Sequence, residues 1–267
     1  MNKIKYSKEH AKYLARVRLK TLSVIITQIS ILVAFILGWE LLTKYGVLDR
    51  YLFSSPTLVW KTLKQMYSSG ELIKHSVITL NETLTAFFLA SGIGFVVAVL
   101  LWCSEFLRRV LEPFIVVLNS LPKIALGPII IVWMGAGNKA IVTMGILIVV
   151  IVTIINILGA FLNADKNIIA VAKSLGANKF QIFTKIVLPS AIPDLVSTLK
   201  INVGLSWIGS IMGEYLVSKA GLGYLLIYGG QVFNLNLVMT STIVLCALAT
   251  LMYFGVAIFE KIVKSRR

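Results

Sequence analysis

Ala170-Val171-Ala172-Lys173-Ser174-Leu175-Gly176, followed after nine intervening residues by Ile186-Val187-Leu188-Pro189, decides how this chain is read. The segment is short, lysine-bearing and punctuated, and it lies between long apolar stretches. Gly176 breaks it in the middle, and Pro189 and Pro193 are expected to stop one helix and start the next. Asp165 or Asn167 can cap a first helix that Gly176 closes. A second short helix is expected from about Asn178 to Leu188, with Phe180, Phe183 and Val187 on one face. Two helices folded over a glycine give a compact knob with apolar ridges and a lysine-rich rim. An ordinary amphipathic loop at a lipid surface would account for the lysines, but not for the glycine and the Leu-Pro pair.

The flanks say where the knob sits. Apolar residues make up 58% of the 267 and charged residues only 14%, with a mean hydropathy of +0.89. That composition excludes a soluble domain. A formal charge of +15 could suggest nucleic acid, but the charges fall between apolar stretches, so a membrane is the partner and nucleic acid is not. A helix needs about 20 apolar residues to cross the hydrocarbon. Six stretches qualify: Leu22–Leu42, Thr83–Ser104, Pro113–Trp133, Ala140–Leu162, Leu195–Val217 and Val238–Phe259. The first is too long for a signal h-region and has no small-x-small cleavage site after it. An all-α integral membrane protein of about six transmembrane helices is expected. Residues 1–21 would form a basic cytoplasmic tail, and 22–267 a single transmembrane domain with an external segment at 44–82 and a cytoplasmic loop at 163–194. With both termini inside, 18 Lys and Arg lie on the cytoplasmic side and 7 outside, which obeys the positive-inside rule. In the external segment, Phe53-Ser54-Ser55-Pro56-Thr57 reads as a capped turn. Val59, Leu63 and Met66, with Trp60 beside them, suggest a short amphipathic helix on the outer surface.

Two spans carry polar groups. Asn119-Ser120-Leu121-Pro122-Lys123-Ile124-Ala125-Leu126-Gly127-Pro128 places two prolines and a glycine at membrane depth, so the third span must be kinked or partly unwound. Broken backbone survives there only inside protein or along a water-filled cavity. Lys123 either faces such a path or snorkels to the cytoplasmic surface. In the fifth span, Asn202, Ser206, Ser210 and Glu214 recur every four residues on one helix face, and Gly204, Gly209 and Gly213 offer close helix approach. Asn119, Ser120, Lys123, Asn202, Ser206, Ser210 and Glu214 are therefore the candidate lining of a translocation path. Helix-to-helix hydrogen bonding is the alternative for the serines and Asn202.

No catalytic constellation is legible. The two histidines, His10 and His75, lie away from any membrane serine in this topology, and Gly204-Leu205-Ser206-Trp207-Ile208-Gly209 misses the Gly-x-Ser-x-Gly spacing. Cys103 and Cys246 are isolated in apolar spans, and no His-Glu-x-x-His occurs. Gly135-Ala136-Gly137-Asn138-Lys139 lacks the P-loop spacing and reads as a turn. No ATP hydrolysis is expected of this chain, and no cofactor or metal bound by it.

The knob resembles the cytoplasmic Glu-Ala-Ala loop of ABC-importer permeases: Ala172, Gly176, Ile186, Leu188 and Pro189 fall in register, while Ala170 stands where that family has its leading Glu. The resemblance extends over roughly residues 50–260. Ser55-Pro56, Leu121–Pro128, Trp133-Met134-Gly135, Leu188-Pro189-Ser190-Ala191-Ile192-Pro193, Trp207, Glu214 and Gly221-Leu222-Gly223-Tyr224 look like the nitrate/sulfonate/taurine-type subfamily. It implies a type I ABC-importer permease fold and a homodimer. It further implies two cytoplasmic ATPases that bind the ATP and Mg, and an extracytoplasmic binding protein that delivers the solute. Ala170, Ala172, Lys173, Gly176, Phe180, Phe183, Ile186, Leu188 and Pro189 would be the ATPase-coupling residues. The solutes implied are nitrate, sulfonate, taurine or bicarbonate-like anions, or a thiamine pyrimidine precursor. An ion-coupled secondary transporter is the alternative; it would have no need of a structured knob.

Overall fold

The computed structural model describes residues 8–265; Lys3, Lys5, Arg266 and Arg267 of the basic ends lie outside them. Every regular element among the described residues is helical. They are α1 (Lys8–Lys44), α2 (Arg50–Phe53), α3 (Pro56–Ser68), α4 (Glu71–Cys103), α5 (Glu105–Ser120), α6 (Gly127–Met134) and α7 (Asn138–Leu162). Then follow α8 (Lys166–Ser174), α9 (Lys179–Ile182), α10 (Leu188–Val217), α11 (Leu222–Gln231) and α12 (Leu235–Ser265). A 3-10 turn at Lys123–Leu126 precedes α6, and a π turn at Phe183–Val187 joins α9 to α10.

The chain divides into two compact units, Met1–Thr62 and Leu63–Arg267. In the first, α1 begins at Lys8, so the expected basic tail and first span are one helix. Its apolar stretch is exposed, from Leu22 through Leu42, which suits a helix solvated by hydrocarbon. At its far end, Trp39 Nε1 donates to the Phe53 carbonyl at 3.2 Å. The Glu40 carboxylate accepts from the Thr57 amide at 3.0 Å, and Ser55 Oγ accepts from the Leu58 amide at 3.3 Å. The orphan amides that open α3 are thus capped, as the Ser55-Pro56 pair predicts.

The second unit is built on α4, α7 and α10. Small residues bring their backbones together, because in a membrane packing and hydrogen bonds replace the hydrophobic effect between helices. A Cβ on Gly209 would lie 2.5 Å from the Gly145 Cα, and one on Gly213 would lie 2.8 Å from the Ile141 Cα. A Cβ on Gly145 would meet that of Ala86 at 2.6 Å. Gly204, expected to act likewise, faces open space instead.

Among the described residues, five helices are long and apolar enough to cross a membrane. The expected third span is a pair, α5 and the Lys123–Met134 segment, bent by 88° where the prolines interrupt it. α4 starts at Glu71, twelve residues before the expected span. Residues 71–82 of the expected external segment are therefore helical and continuous with the span. The expected stop at Pro189 is also corrected: Lys179–Val217 runs as one helical segment of 39 residues. At about 1.5 Å per residue it is nearly 60 Å long, twice the hydrocarbon thickness, so part of it stands clear of the bilayer. The π turn explains the continuity. Leu188 N donates to Phe183 O, five residues back, and this wider turn makes room for a proline ring that would clash in a regular helix.

Candidate coupling loop and translocation path

Local capping shapes the knob. Asp165 Oδ1 accepts from the amides of Asn167 and Ile168 at 2.8 and 3.4 Å, so it is Asp165 that opens α8. The other end is a Schellman closure. Ala177 N donates to Ala172 O and Gly176 N to Lys173 O, both at 3.0 Å. Gly176 takes φ +80°, which costs any other L-residue energy. Asn178 then opens α9 with a capping box: Gln181 N donates to Asn178 Oδ1 at 2.8 Å, and Asn178 N to Gln181 Oε1 at 2.9 Å.

Three groups seat the knob on the ends of α4 and α7. Lys179 Nζ donates to the Cys103 carbonyl at 2.5 Å, a cation on the C-terminus of α4. The Phe183 ring packs on Trp102 and Phe161, with centroids 4.9 and 5.3 Å away. Ile182 and Val187 are buried, and Ala172, Ala177 and Leu188 pack against the same cluster. The opposite side presents Ile168, Val171, Leu175 and Phe180 to solvent, Leu175 being 82% and Phe180 74% exposed. Lys173 and Ala170 are exposed beside them, while Ile186 and Pro189 are half-buried. Phe180 therefore does not share a face with Phe183 and Val187. One aromatic points out and the other anchors.

The expected path residues fall in two places. Asn119 and Ser120 are exposed at the end of α5. Lys123 is half-buried, and its Nζ donates to the Asn119 carbonyl at 3.2 Å. That carbonyl is an orphan of the broken helix, so Lys123 caps the C-terminus of α5. The fifth-span stripe is buried: Asn202, Ser206 and Ser210 are 0% exposed and Glu214 1%. Asn202 Nδ2 donates to Ser91 Oγ and Thr153 Oγ1, each at 2.9 Å, and so ties α10 to α4 and α7. Ser206 Oγ donates to the Val203 carbonyl of its own helix at 2.9 Å.

Glu214 has a partner set that its spacing alone does not reveal. Its Oε2 accepts from the amides of Gly223 and Tyr224 at 2.5 and 3.2 Å. His75 Nδ1 accepts from Gly221 N at 2.8 Å, and Thr79 Oγ1 from Leu222 N at 2.7 Å. Four successive orphan amides at the start of α11 are thus capped from α10 and α4. Cβ atoms on Gly221 or Gly223 would strike the Glu214 carboxylate, which is why glycines stand there. Glu82 of α4, buried beside Glu214, and the caps His75 and Thr79 were not singled out from the sequence. His75 falls in the expected external segment, and a lone His, Glu or Thr at a helix–helix contact leaves no motif.

Residues 90–267, two thirds of the chain, match the family described as the binding-protein-dependent transport system inner membrane component. The chain belongs to this family. It is a permease, the multi-pass inner-membrane component of a binding-protein-dependent ABC importer. A Bacillus subtilis protein named for transport of aliphatic sulfonates is 26% identical to the permease over 84% of this chain and 81% of its own length. A Chloroflexus aurantiacus riboflavin transport system permease is 26% identical over 86% of each chain. Among solved structures, the inward-facing MetNI methionine ABC transporter superposes with a TM-score of 0.65 at 24% identity, covering 73% of this chain and 97% of that one. That likeness confirms the fold class. The family match displaces the ion-coupled alternative.

Proposed function

We propose that the permease couples ATP hydrolysis in cytoplasmic partner subunits to solute passage through the 163–194 knob. ATP and Mg are bound by those partners and not by this chain. Two copies of the permease surround the path, a binding protein delivers solute at the outer face, and both termini lie in the cytoplasm. The observation that carries this reading is the two-sided knob. Its inner side is fixed to α4 and α7 by Lys179, Phe183 and Val187, and its outer side bears an apolar ridge that nothing among the described residues covers. A rigid seat with an exposed apolar ridge transmits a push from a docked subunit to the transmembrane helices. Ala170 is exposed and carries no charge, so docking here relies on the ridge and on Lys173 without a leading carboxylate. Asn119, Ser120 and Lys123, at the bend between α5 and α6, are the proposed path residues of the notched third span. For Asn202, Ser206, Ser210 and Glu214 the geometry supports holding the helices that form the path. Relatives named for sulfonates and for riboflavin leave the solute class open between an organic anion and a neutral heterocycle.

The test is co-purification of the permease with its ATPase in mild detergent. Leu175→Asp and Phe180→Asp place charge on the ridge and should cut ATPase recovery at least about tenfold while the permease stays monodisperse, since one buried unpaired charge costs more than 1.4 kcal/mol at an interface. Full ATPase recovery with both variants would refute docking through the ridge.

A further inference from the structure

Two clefts open on the surface of residues 63–267, and their linings differ in chemistry. The larger, about 730 Å³, is lined by Phe88, Phe95, Leu195, Leu199, Val256 and Phe259 among others from α4, α10 and α12. Hydrocarbon satisfies that lining. The smaller, about 350 Å³, lies between α7 and α10 and presents Asn156, Asn163, Asp194, Ser197 and Thr198. Asn163 caps the end of α7, and Asn156 lies seven residues, about 10 Å, deeper into the span. On α10, Asp194 stands at the shallow end and Ile201 the same distance further in. The cleft is therefore a polar groove running into the membrane.

The hydroxyls in it are spent locally. Ser197 Oγ donates to the Pro193 carbonyl at 3.0 Å, and Thr198 Oγ1 to the Asp194 carbonyl at 2.8 Å. The side chains of Asn156, Asn163 and Asp194 make no hydrogen bond or ion pair among the described residues. No basic side chain lines the cleft. Lys200, six residues beyond Asp194, is paired with Glu260 of α12. An unpaired carboxylate and two unsatisfied amides cannot face lipid tails, which offer no hydrogen bonds.

We propose that this cleft is a water-filled stretch of the solute path, and that Asp194, with Asn156 and Asn163, makes it selective for solutes bearing a cationic or N–H-donor group over simple anions. The inference rests on the importer reading above and names the solute class for it. A free anion entering the groove meets a like charge at Asp194, which is exposed at its shallow end. A zwitterion, an amine or a neutral heterocycle with N–H groups instead finds three acceptors and two amide donors.

Charged thiol reagents test this without knowledge of the solute. In permease purified with its ATPase and reconstituted in liposomes, Cys103 and Cys246 are replaced by Ser, and Asn156→Cys supplies a reporter. Ser197→Cys is the second reporter, in case the first impairs folding. Cationic and anionic methanethiosulfonates of similar size should both react. Their rate ratio, divided by the ratio on a free small thiol, should favour the cation by about fivefold or more and fall close to one when Asp194→Asn is added. Reporters that react only with a membrane-permeant maleimide would overturn the proposal, because the cleft would then face lipid. A charge ratio unmoved by Asp194→Asn would overturn the selectivity. ATPase retention is followed in the same preparations. Its loss would count against the importer reading, while the charge ratio reports on the cleft independently.

Discussion

Glu214 shows how much one side chain can organise. It takes two backbone amides of α11 from its place on α10, while His75 and Thr79 of α4 take the two before them. Three helices therefore meet on one helix N-terminus, and a carboxylate there is favoured by the helix dipole as well as by hydrogen bonding. Glu214→Ala strips the acceptor from two buried amides, a loss of about 2–3 kcal/mol. The unfolding temperature in detergent should fall by roughly 5–10 °C. Glu214→Gln keeps a carbonyl oxygen and should lose less than half of that. An alanine variant as heat-stable as the parent would show that the cap is dispensable. The four-residue spacing of Asn202, Ser206, Ser210 and Glu214 was legible as one face, but not which neighbour that face meets. Periodicity gives a direction around a helix axis. The partners of Asn202, Thr153 and Ser91, lie 49 and 111 residues away in the chain, and nothing local encodes such pairings. The path reading of the stripe came from assuming that polar side chains at membrane depth face water, whereas hydrogen bonds between helices satisfy Asn202 equally well.

At the level of elements, the knob is the part most fully written in the sequence. Asp165, Gly176 and the Asn178/Gln181 pair each perform the capping task that their residue type predicts, because capping depends on a few adjacent residues and not on distant packing. The helix boundary at Pro189 was misjudged for the opposite reason. A proline removes one donor and clashes with one carbonyl, but a π turn placed just before it absorbs the clash, and packing of Phe183 and Val187 on α4 and α7 holds that turn in place. The two phenylalanines of this segment therefore separate cleanly in their effects. Phe183→Ala removes the anchor against Trp102 and Phe161, and should loosen the knob, with faster proteolysis at 174–186 and a stability loss of about 2–4 kcal/mol. Phe180→Ala removes an exposed side chain and should leave stability within about 0.5 kcal/mol while weakening ATPase recovery. Equal stability losses for the two would contradict the inward and outward assignment.

At the scale of the whole molecule, the question is how many times the chain crosses. Among the described residues five helices qualify on length and composition, and the bent pair α5 with α6 makes the count six only if it spans. The charge distribution favours six. The segment before the first span carries seven Lys and Arg, and Lys166, Lys173, Lys179 and Lys185 fall within 163–194. Between these two segments the chain passes through α1, α4, the bent pair and α7. If the bent pair crosses, four passages leave both basic segments on the same side. If it is a re-entrant loop, three passages place one of them outside, against the positive-inside tendency. Its 88° bend is tolerable in a crossing segment because Lys123 caps the freed carbonyl of Asn119 and the broken backbone borders protein or water. Single cysteines at Arg18 and Ser174, in a background lacking Cys103 and Cys246, read this directly with a membrane-impermeant maleimide. Both sites should label in inverted inner-membrane vesicles and neither in intact spheroplasts. Labelling of the two from opposite sides would make α5 and α6 a re-entrant loop and put the termini on different faces, since α10 and α12 add two further crossings after the knob.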